Sequence, residues 1–344
     1  ESRGLGDVYK RQDYDGMLFE NVRINAIANS QQAWSGSLSS DLFNGRFKWK
    51  PADVKEHSQL WADFDYLKIP KKKLSKKSLD LIPQTTETLP SMDIRVDQLT
   101  FDNYNLGEFS ISTRNHGLGE EQYWTLEQLI LKNDDAKLMV NGLWNSGKKS
   151  QSQTNLSATL DINDLGNVLE RAHLQHVIND GHGQINLDLN WSGAPIDFNA
   201  QNLNGKVSTQ LFSGQFLQVE PGAGRLLSLI SLQQLFRRFA LDFRDVVGQG
   251  FVFDSISGSI DIVKGLATTD SLRIVGPQAT ILSQGWLDLK TLTQKVKISV
   301  LPDINLSGAS IALAVANPLL GVGSFLAQLA LQAPLSQLFS IEYE

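Results

Sequence analysis

Gly-Gln-Ile-Asn-Leu-Asp-Leu-Asn-Trp, at residues 183–191, is the stretch that decides the fold. Ile185, Leu187, Leu189 and Trp191 alternate with Gln, Asn and Asp, so one side of an extended chain is apolar and the other polar. A helix would spread these residues around its whole circumference. The stretch therefore predicts a β-strand in a sheet with one apolar face and one polar face.

The same period of two recurs along most of the chain. Short connections with Gly, Asn, Asp or Pro separate the alternating runs, as at Ser192–Pro195. Short connections between successive strands favour an antiparallel meander. The further predicted strands are 43–49, 92–96, 138–144, 156–162, 207–211, 251–253, 256–262, 266–274 and 296–300.

Three segments break the period of two and predict helices. Residues 164–179 have apolar side chains at helical spacing, with Asp164 as the N-cap. Residues 224–239 and 318–339 are the other two, the last interrupted at Pro334. The sequence thus predicts a mainly β protein with a few helices. A long meander either folds back on itself or leaves an apolar groove that an apolar ligand must fill, and the alternation leaves both open.

Composition narrows the function classes. The chain has 344 residues, of which 41% are hydrophobic, and this is too apolar for a disordered protein. Its net charge of -6 argues against a partner nucleic acid, which selects basic surfaces. The chain has no cysteine, which excludes disulfides, thiolate metal sites and a cysteine nucleophile.

No motif of catalysis or cofactor binding stands out. His173, His176 and His182 lie close in sequence, but no HExxH pattern accompanies them, so we interpret them as surface or capping residues. Gly222–Arg225 lacks the spacing of a dinucleotide or phosphate loop. We therefore predict neither a cofactor nor a metal, and no catalytic residue.

Two stretches indicate contact with lipid. Lys68–Lys77 contains six lysines, which suit either a solvated loop or anionic phospholipid headgroups. Residues 304–341 contain no charged side chain, and the helix predicted there is either buried under the sheet or inserted at a lipid interface. The candidate membrane-contact residues are Leu319, Leu320, Phe325 and Leu326.

Both ends of the sequence have unusual features. Residues 1–12, ESRGLGDVYKRQ, resemble a translated sequencing adapter, and we expect them to be foreign to the natural protein. Residues 340–344 are typical of the opening of a strand. We therefore expect that the chain is a fragment of a longer protein.

Three long stretches carry a family resemblance. They are GAGRLLSLISLQQLFRRF at 222–239, LDFRDVVGQGFVFDSISG at 241–258 and NPLLG at 317–321. They resemble the C-terminal part of YhdP-type members of the AsmA-like family of bridge-type lipid transfer proteins. Weaker similarity extends back through most of the chain.

The resemblance implies a meander curved into an open apolar groove, a β-taco. It implies a non-enzymatic, periplasm-spanning protein that moves phospholipid between the inner and outer membranes, anchored in the inner membrane by an N-terminal segment absent here. Docking proteins at the membranes are further implied partners. The expected organisation is a β-groove segment at 13–163, a C-terminal β-groove with two inserted helices at 164–316, and an apolar helix with a truncated final strand at 317–344.

The lipid-facing candidates are the alternating apolar residues of the predicted strands, because a continuous apolar lining is what acyl chains require. Two other functions remain open. One is an outer-membrane or surface β-structural protein without transfer activity, although the seven tryptophans are scattered along the sequence instead of forming girdles. The other is a carbohydrate-active enzyme, although no distinctive carboxylate pair is present. The lipid-binding candidates are Ile185, Leu187, Leu189, Trp191, Val207, Leu211, Phe251, Phe253, Ile260, Ile262, Leu272, Ile274, Ile281, Val296, Ile298 and Val300.

Overall fold

The described strands belong to one hydrogen-bonded, mainly antiparallel sheet. The fold class predicted from the sequence, a mainly β protein built on a long antiparallel meander with little helix, is therefore confirmed. The computed structural model describes residues 4–14, 17–29, 32–53, 56–70, 89–116, 123–146, 152–172, 174, 176–217, 251–277, 279–302 and 340–343.

The chain divides into two compact units. Unit 1 comprises residues 1–163 and 184–205, and unit 2 comprises residues 164–183 and 206–344. Ten strands lie within unit 1, and an eleventh, β11 (Ile178–Ser192), enters it at residue 184. The ten are β1 (Gly4–Tyr14), β2 (Met17–Ala28), β3 (Trp34–Ser39), β4 (Phe43–Lys50), β5 (Gln59–Ile69), β6 (Ser91–Phe101), β7 (Tyr104–His116), β8 (Tyr123–Lys132), β9 (Ala136–Asn145) and β10 (Gln153–Ile162).

Unit 1 is a meander with one exception. Each strand from β1 to β10 pairs with the next in antiparallel fashion, except that β5 and β6 are parallel. A parallel pair needs a long connection, because the chain must return to the end at which the first strand began. Residues 70–90 form that connection and carry most of the lysine run, of which residues 71–77 lie outside the described part.

Unit 2 contains the helix α1 (Leu165–Arg171) and the remaining strands. The side chain of Asp164 accepts a hydrogen bond from the backbone N–H of Asn167, so it is the N-cap that the sequence predicts. The helix ends well before residue 179, because His176 has a φ of 59° and Ile178 already begins β11. The other strands are β12 (Asn204–Phe216), β13 (Phe251–Val263), β14 (Leu266–Val275), β15 (Ala279–Asp288), β16 (Gln294–Pro302) and β17 (Ser340–Tyr343).

Strands β13 to β17 pair in chain order, all antiparallel. The predicted runs 251–253 and 256–262 are one continuous strand, β13. The predicted helices at 224–239 and 318–339 lie outside the described residues. Residues 4–12, part of the stretch expected to be foreign to the natural protein, lie in β1, which pairs with β2.

Candidate functional site

The strands of unit 1 carry their apolar side chains on one face. Residues paired across strands point to the same side of a sheet. The register places Phe47 opposite Ala62, Ala62 opposite Ile94, Ile94 opposite Ile111, and Ile111 opposite Leu129. We call this surface the unit 1 apolar face. A second row on the same face runs through Trp34, Trp49, Leu60, Met92, Thr113, Leu126, Gly142 and Leu156.

The unit 1 apolar face is only partly covered. Ile94, Ile111, Leu129 and Val140 lie in the middle of the sheet, with a strand on each side, yet each is half-buried rather than buried. A second sheet packed on this face, as in a sandwich, would seal such central residues from solvent. Ala62, Val96 and Thr113 of the same face are buried, so the face is covered at these positions and has room for further apolar contact at the four half-buried ones.

The opposite face of unit 1 is polar and hydrogen-bonded. Asp93 accepts from Ser112 Oγ at 2.7 Å and pairs with Arg114 at 3.0 Å, and Arg114 Nη2 lies 3.6 Å from Glu127. Lys50 donates to Glu56, and this hydrogen bond raises the pKa of Lys50. Side chains of this kind are stable in contact with water, so the polar face is the solvated side of the sheet.

Strand β11 follows the same division in unit 1. Three polar side chains of this strand bond to the polar side of β10: Gln184 to Asp161 at 2.7 Å, Asn186 to Thr159 at 2.9 Å, and Asp188 to Ser157 at 2.7 Å. The alternating candidates therefore occupy the apolar side. Of these, Ile185, Leu187 and Leu189 are half-buried and Trp191 is buried.

Unit 2 has an apolar face of its own. Ile274 pairs with Ile281, so these two share one side. Ser283 pairs with both Leu272 and Ile298 on the same side. The register of β13 to β16 thus collects seven of the predicted candidates on one surface, the unit 2 apolar face, and pairs the backbone of an eighth, Val300, with Ile281. The seven are Ile260, Ile262, Leu272, Ile274, Ile281, Val296 and Ile298.

Candidates at the start of unit 2's sheet are packed more tightly. Phe253 is fully buried, with its ring centroid 5.3 Å from that of Phe216 and its ring edge against Gly214. Phe251 is also buried and contacts Gly276. These two side chains pack against protein. The remaining candidates of β12 are Val207, which is half-buried, and Leu211, which is buried.

Much of the apolar surface was missed by sequence reasoning. The rows of β2, β3, β5, β7 and β8 contribute to the unit 1 apolar face although none of these strands was predicted. One cause is visible in β8, where one extra residue between Leu126 and Leu129 shifts the alternation by one. Leu126 and Leu129 pair with Gly142 and Val140 and so still share a face. Allowing one bulge in a run of period two would have found this strand.

The described residues give little support to a metal site, a phosphate site or a membrane-spanning helix. His176 and His182 are exposed, whereas His173 and the turn at 222–225 lie outside the described part. The described residues hold no cluster of three metal-ligating side chains and no helix of the length and apolarity that crossing a membrane requires. The membrane-contact candidates Leu319, Leu320, Phe325 and Leu326 lie outside the described residues.

A depression of about 560 Å³ opens on the polar face of unit 1. Neutral polar side chains make up much of its lining, among them Thr125, Asn141, Asn155 and Ser157. His116 hydrogen-bonds Thr125 at 3.0 Å and stacks on Tyr123 at one edge. Glu127 is the only acidic side chain among the residues that line the depression, and we do not assign a catalytic site to it.

Fold and site together define a class: a mainly β protein whose sheet aligns apolar side chains on one face of its strands. The chain belongs to the YhdP protein family, whose family model matches residues 12–344. A curated relative, the intermembrane phospholipid transporter YhdP of Escherichia coli (strain K12), is 30% identical over 221 residues. That match covers 64% of this chain and 17% of the relative, so the chain spans a small part of the relative's length. No solved structure matches the chain.

Proposed function

We propose that this chain is part of a protein that moves phospholipid between two membranes, with acyl chains lying along the apolar faces of its sheet. The observation that carries the proposal is the register, which aligns half-buried apolar side chains across successive strands of unit 1. Membership of the YhdP family, and the printed name of the E. coli relative, supply the substrate class.

Physical chemistry supports an acyl ligand on such a surface. Each methylene that leaves water for an apolar surface gains about 0.8 kcal/mol, so a long acyl chain needs an unbroken lining more than it needs specific contacts. Aligned rows of Ile, Leu, Val and Trp provide that lining, and the hydrogen-bonded polar face keeps the other side of the sheet in water.

The finer features of the proposal follow from the family. The sheet forms an open groove across the periplasm, and the natural protein is held in the inner membrane by an N-terminal segment. Proteins at either membrane dock the two ends. The chain acts as a passive conduit and not as an enzyme, with direction and energy supplied from elsewhere.

Photo-crosslinking tests the proposal residue by residue. A photoreactive amino acid at Leu187 or Ile274, both on apolar faces, is expected to crosslink phospholipid when the chain is expressed in Gram-negative cells. The matched controls are Asp188 and Arg273, which are the next or preceding residues on the same strands and point to the polar side.

Mass spectrometry of the purified chain identifies what is attached. We expect glycerophospholipid adducts at the two apolar positions and a yield at least about tenfold lower at the two controls, because only one face is apolar. Equal yields from both faces, or absence of lipid from the purified chain, would show that the apolar faces do not carry lipid.

A further inference from the structure

Five of the seven tryptophans lie on the unit 1 apolar face at the same end of the strands. Trp34 is the first residue of β3, Trp124 the second of β8, and Trp49, Trp144 and Trp191 the last but one of β4, β9 and β11. Because neighbouring strands run in opposite directions, apart from β5 and β6, the start of one strand lies beside the end of the next. Residues far apart in sequence therefore meet along one edge.

The register makes two pairs of these residues direct neighbours. Trp34 pairs directly with Trp49, and Trp124 pairs directly with Trp144. Trp144 pairs in turn with Thr154, whose Oγ1 donates to the carbonyl of Gly193, two residues after Trp191. We call these five residues the tryptophan row.

The indole N–H groups point toward the strand ends. Trp144 Nε1 donates to Ser152 Oγ at 3.1 Å, and Trp191 Nε1 donates to the carbonyl of Ala194 at 3.0 Å. Trp124 Nε1 donates to the carbonyl of Pro90 at 3.4 Å. All three acceptors lie just beyond the strands, so the polar edge of each of these rings faces the connections. Trp144 and Trp191 are buried, whereas Trp34, Trp49 and Trp124 are half-buried and have surface left for further contact.

The opposite end of the same strands has no tryptophan among the described residues. Charged residues occur at both ends, with Lys50, Asp53 and Glu56 at and beyond the end of β4 at the tryptophan end and Lys132–Lys137 between β8 and β9 at the other. The two tryptophans outside the row, Trp61 and Trp286, lie on the polar faces and are each 38% exposed. The unit 1 apolar face is therefore asymmetric along the strands, with tryptophan at one end.

Tryptophan prefers sites where hydrocarbon meets polar groups, because its ring is apolar and its N–H needs a hydrogen-bond acceptor. We infer that the tryptophan row marks the headgroup end of the bound glycerophospholipids, with their acyl chains running along the strands toward the other end. The inference rests on the proposed function and deepens it, since it assigns an orientation to the lipid.

The dimensions fit this orientation. A strand of about ten residues is roughly 33 Å long. The acyl region of one leaflet is about half of the 30 Å hydrocarbon core of a bilayer. Acyl chains that start at the tryptophan row therefore end on the apolar face, before the charged turns of the opposite end.

Fluorescence quenching by spin-labelled phospholipids tests the orientation. The protein is the 344-residue chain with Trp61→Phe and Trp286→Phe, which removes the two exposed tryptophans of the polar faces and leaves the row intact. It is loaded with monomeric phosphatidylcholine that carries a nitroxide on the headgroup, on carbon 5 of one tail or near the tail end. Because the row contacts the headgroup end, the first two labels are expected to quench at least about twofold more strongly than the third.

Each outcome bears on a different claim. Stronger quenching by the tail-end label, or equal quenching by all three, overturns the orientation, while the quenching itself supports lipid binding. Quenching that requires intact phosphatidylcholine vesicles would assign the row to a bilayer surface and also overturn the inference. No quenching by any label overturns the orientation, and together with a chain that purifies without lipid it contradicts the proposed function as well.

Discussion

At the scale of single residues, glycines on the apolar faces set how closely the strands approach. Gly285 has a φ of 154°, and a Cβ at this position would overlap the carbonyl oxygen of Lys295 on the neighbouring strand. Gly205 has a φ of 144°, and a Cβ there would overlap the carbonyl oxygen of Asp188. A side chain at either position needs both a strained backbone and a displaced strand.

The first prediction concerns Gly285→Ala. Because the substitution combines a positive φ with a backbone overlap, we expect it to lower the free energy of unfolding by about 1–3 kcal/mol. Urea denaturation of the purified chain measures this. Ser283→Ala, two residues earlier on the same face, is the control and is expected to change the value by less than about 0.5 kcal/mol. Equal effects of the two variants would show that the close approach at Gly285 is unimportant.

The second residue prediction concerns Asp288, at the turn between β15 and β16. Its Oδ1 accepts from the backbone N–H of Thr291 at 3.1 Å and of Lys290 at 2.8 Å, and these bonds lower the pKa of Asp288 below its ordinary value of 3.8. A carboxylate with a lowered pKa in the folded state stabilises the fold above the unfolded-state pKa. That stability is lost as the pH falls through the folded-state pKa.

Asp288→Asn is therefore expected to be less stable than the parent chain near neutral pH. The difference should shrink as the pH falls below 3.8 and vanish once Asp288 of the parent is protonated. Urea midpoints measured across this pH range provide the comparison. A difference that stays constant with pH would mean that the charge of Asp288 contributes nothing to the turn.

At the scale of strands, β-bulges keep the apolar faces continuous. In β14, Thr269 pairs with Gly285 and Leu272 with Ser283, so β14 has one residue more than β15 between these pairs. Residues before and after the bulge therefore share one face despite their odd and even numbers. Without a compensating bulge, a shift of one residue would turn half of the strand over.

Single deletions distinguish the bulge from the regular strand. Deleting Asp270 removes the extra residue and leaves Thr269 and Leu272 on the same face, so we expect cooperative thermal unfolding to persist. Deleting Leu282, in the regular part of β15 where it pairs with Arg273 and Ser299, turns one half of that strand over and is expected to abolish cooperative unfolding. Differential scanning calorimetry measures the cooperativity of thermal unfolding of both variants. Similar behaviour of the two deletions would contradict the role given to the bulge.

Period-two alternation predicted strands in β4, β9, β10 and β11, but it missed β2 and β3, whose registers contain no bulge. It also missed β5 and β8, in which one extra residue cancels the period. Periodicity does not show which strands pair with each other. The parallel pairing of β5 with β6 and the pairing of Trp34 with Trp49 are therefore seen only in the register. The sequence therefore predicted which residues are apolar-facing in several strands, but not which of them lie side by side.

At the scale of the whole molecule, each unit has one face on which apolar side chains of successive strands are aligned. Contiguous exposed apolar surfaces of more than a few hundred Å² are rare in soluble monomers and mark interaction sites. Under the proposed function, the apolar faces of both units require the same partner, a series of acyl chains.

Removing lipid from the purified chain tests this requirement. Because lipid binds the folded state and not the unfolded chain, the stabilisation follows mass action and is about 2.7 kcal/mol at a lipid concentration of one hundred times Kd. We expect the delipidated chain to unfold at a temperature at least a few degrees lower, and to bind an apolar dye such as ANS. Adding back monomeric phospholipid should reverse both changes, whereas the soluble headgroup alone, glycerophosphocholine, should reverse neither. An unfolding temperature that is indifferent to lipid would mean that the protein's own side chains already satisfy the apolar faces.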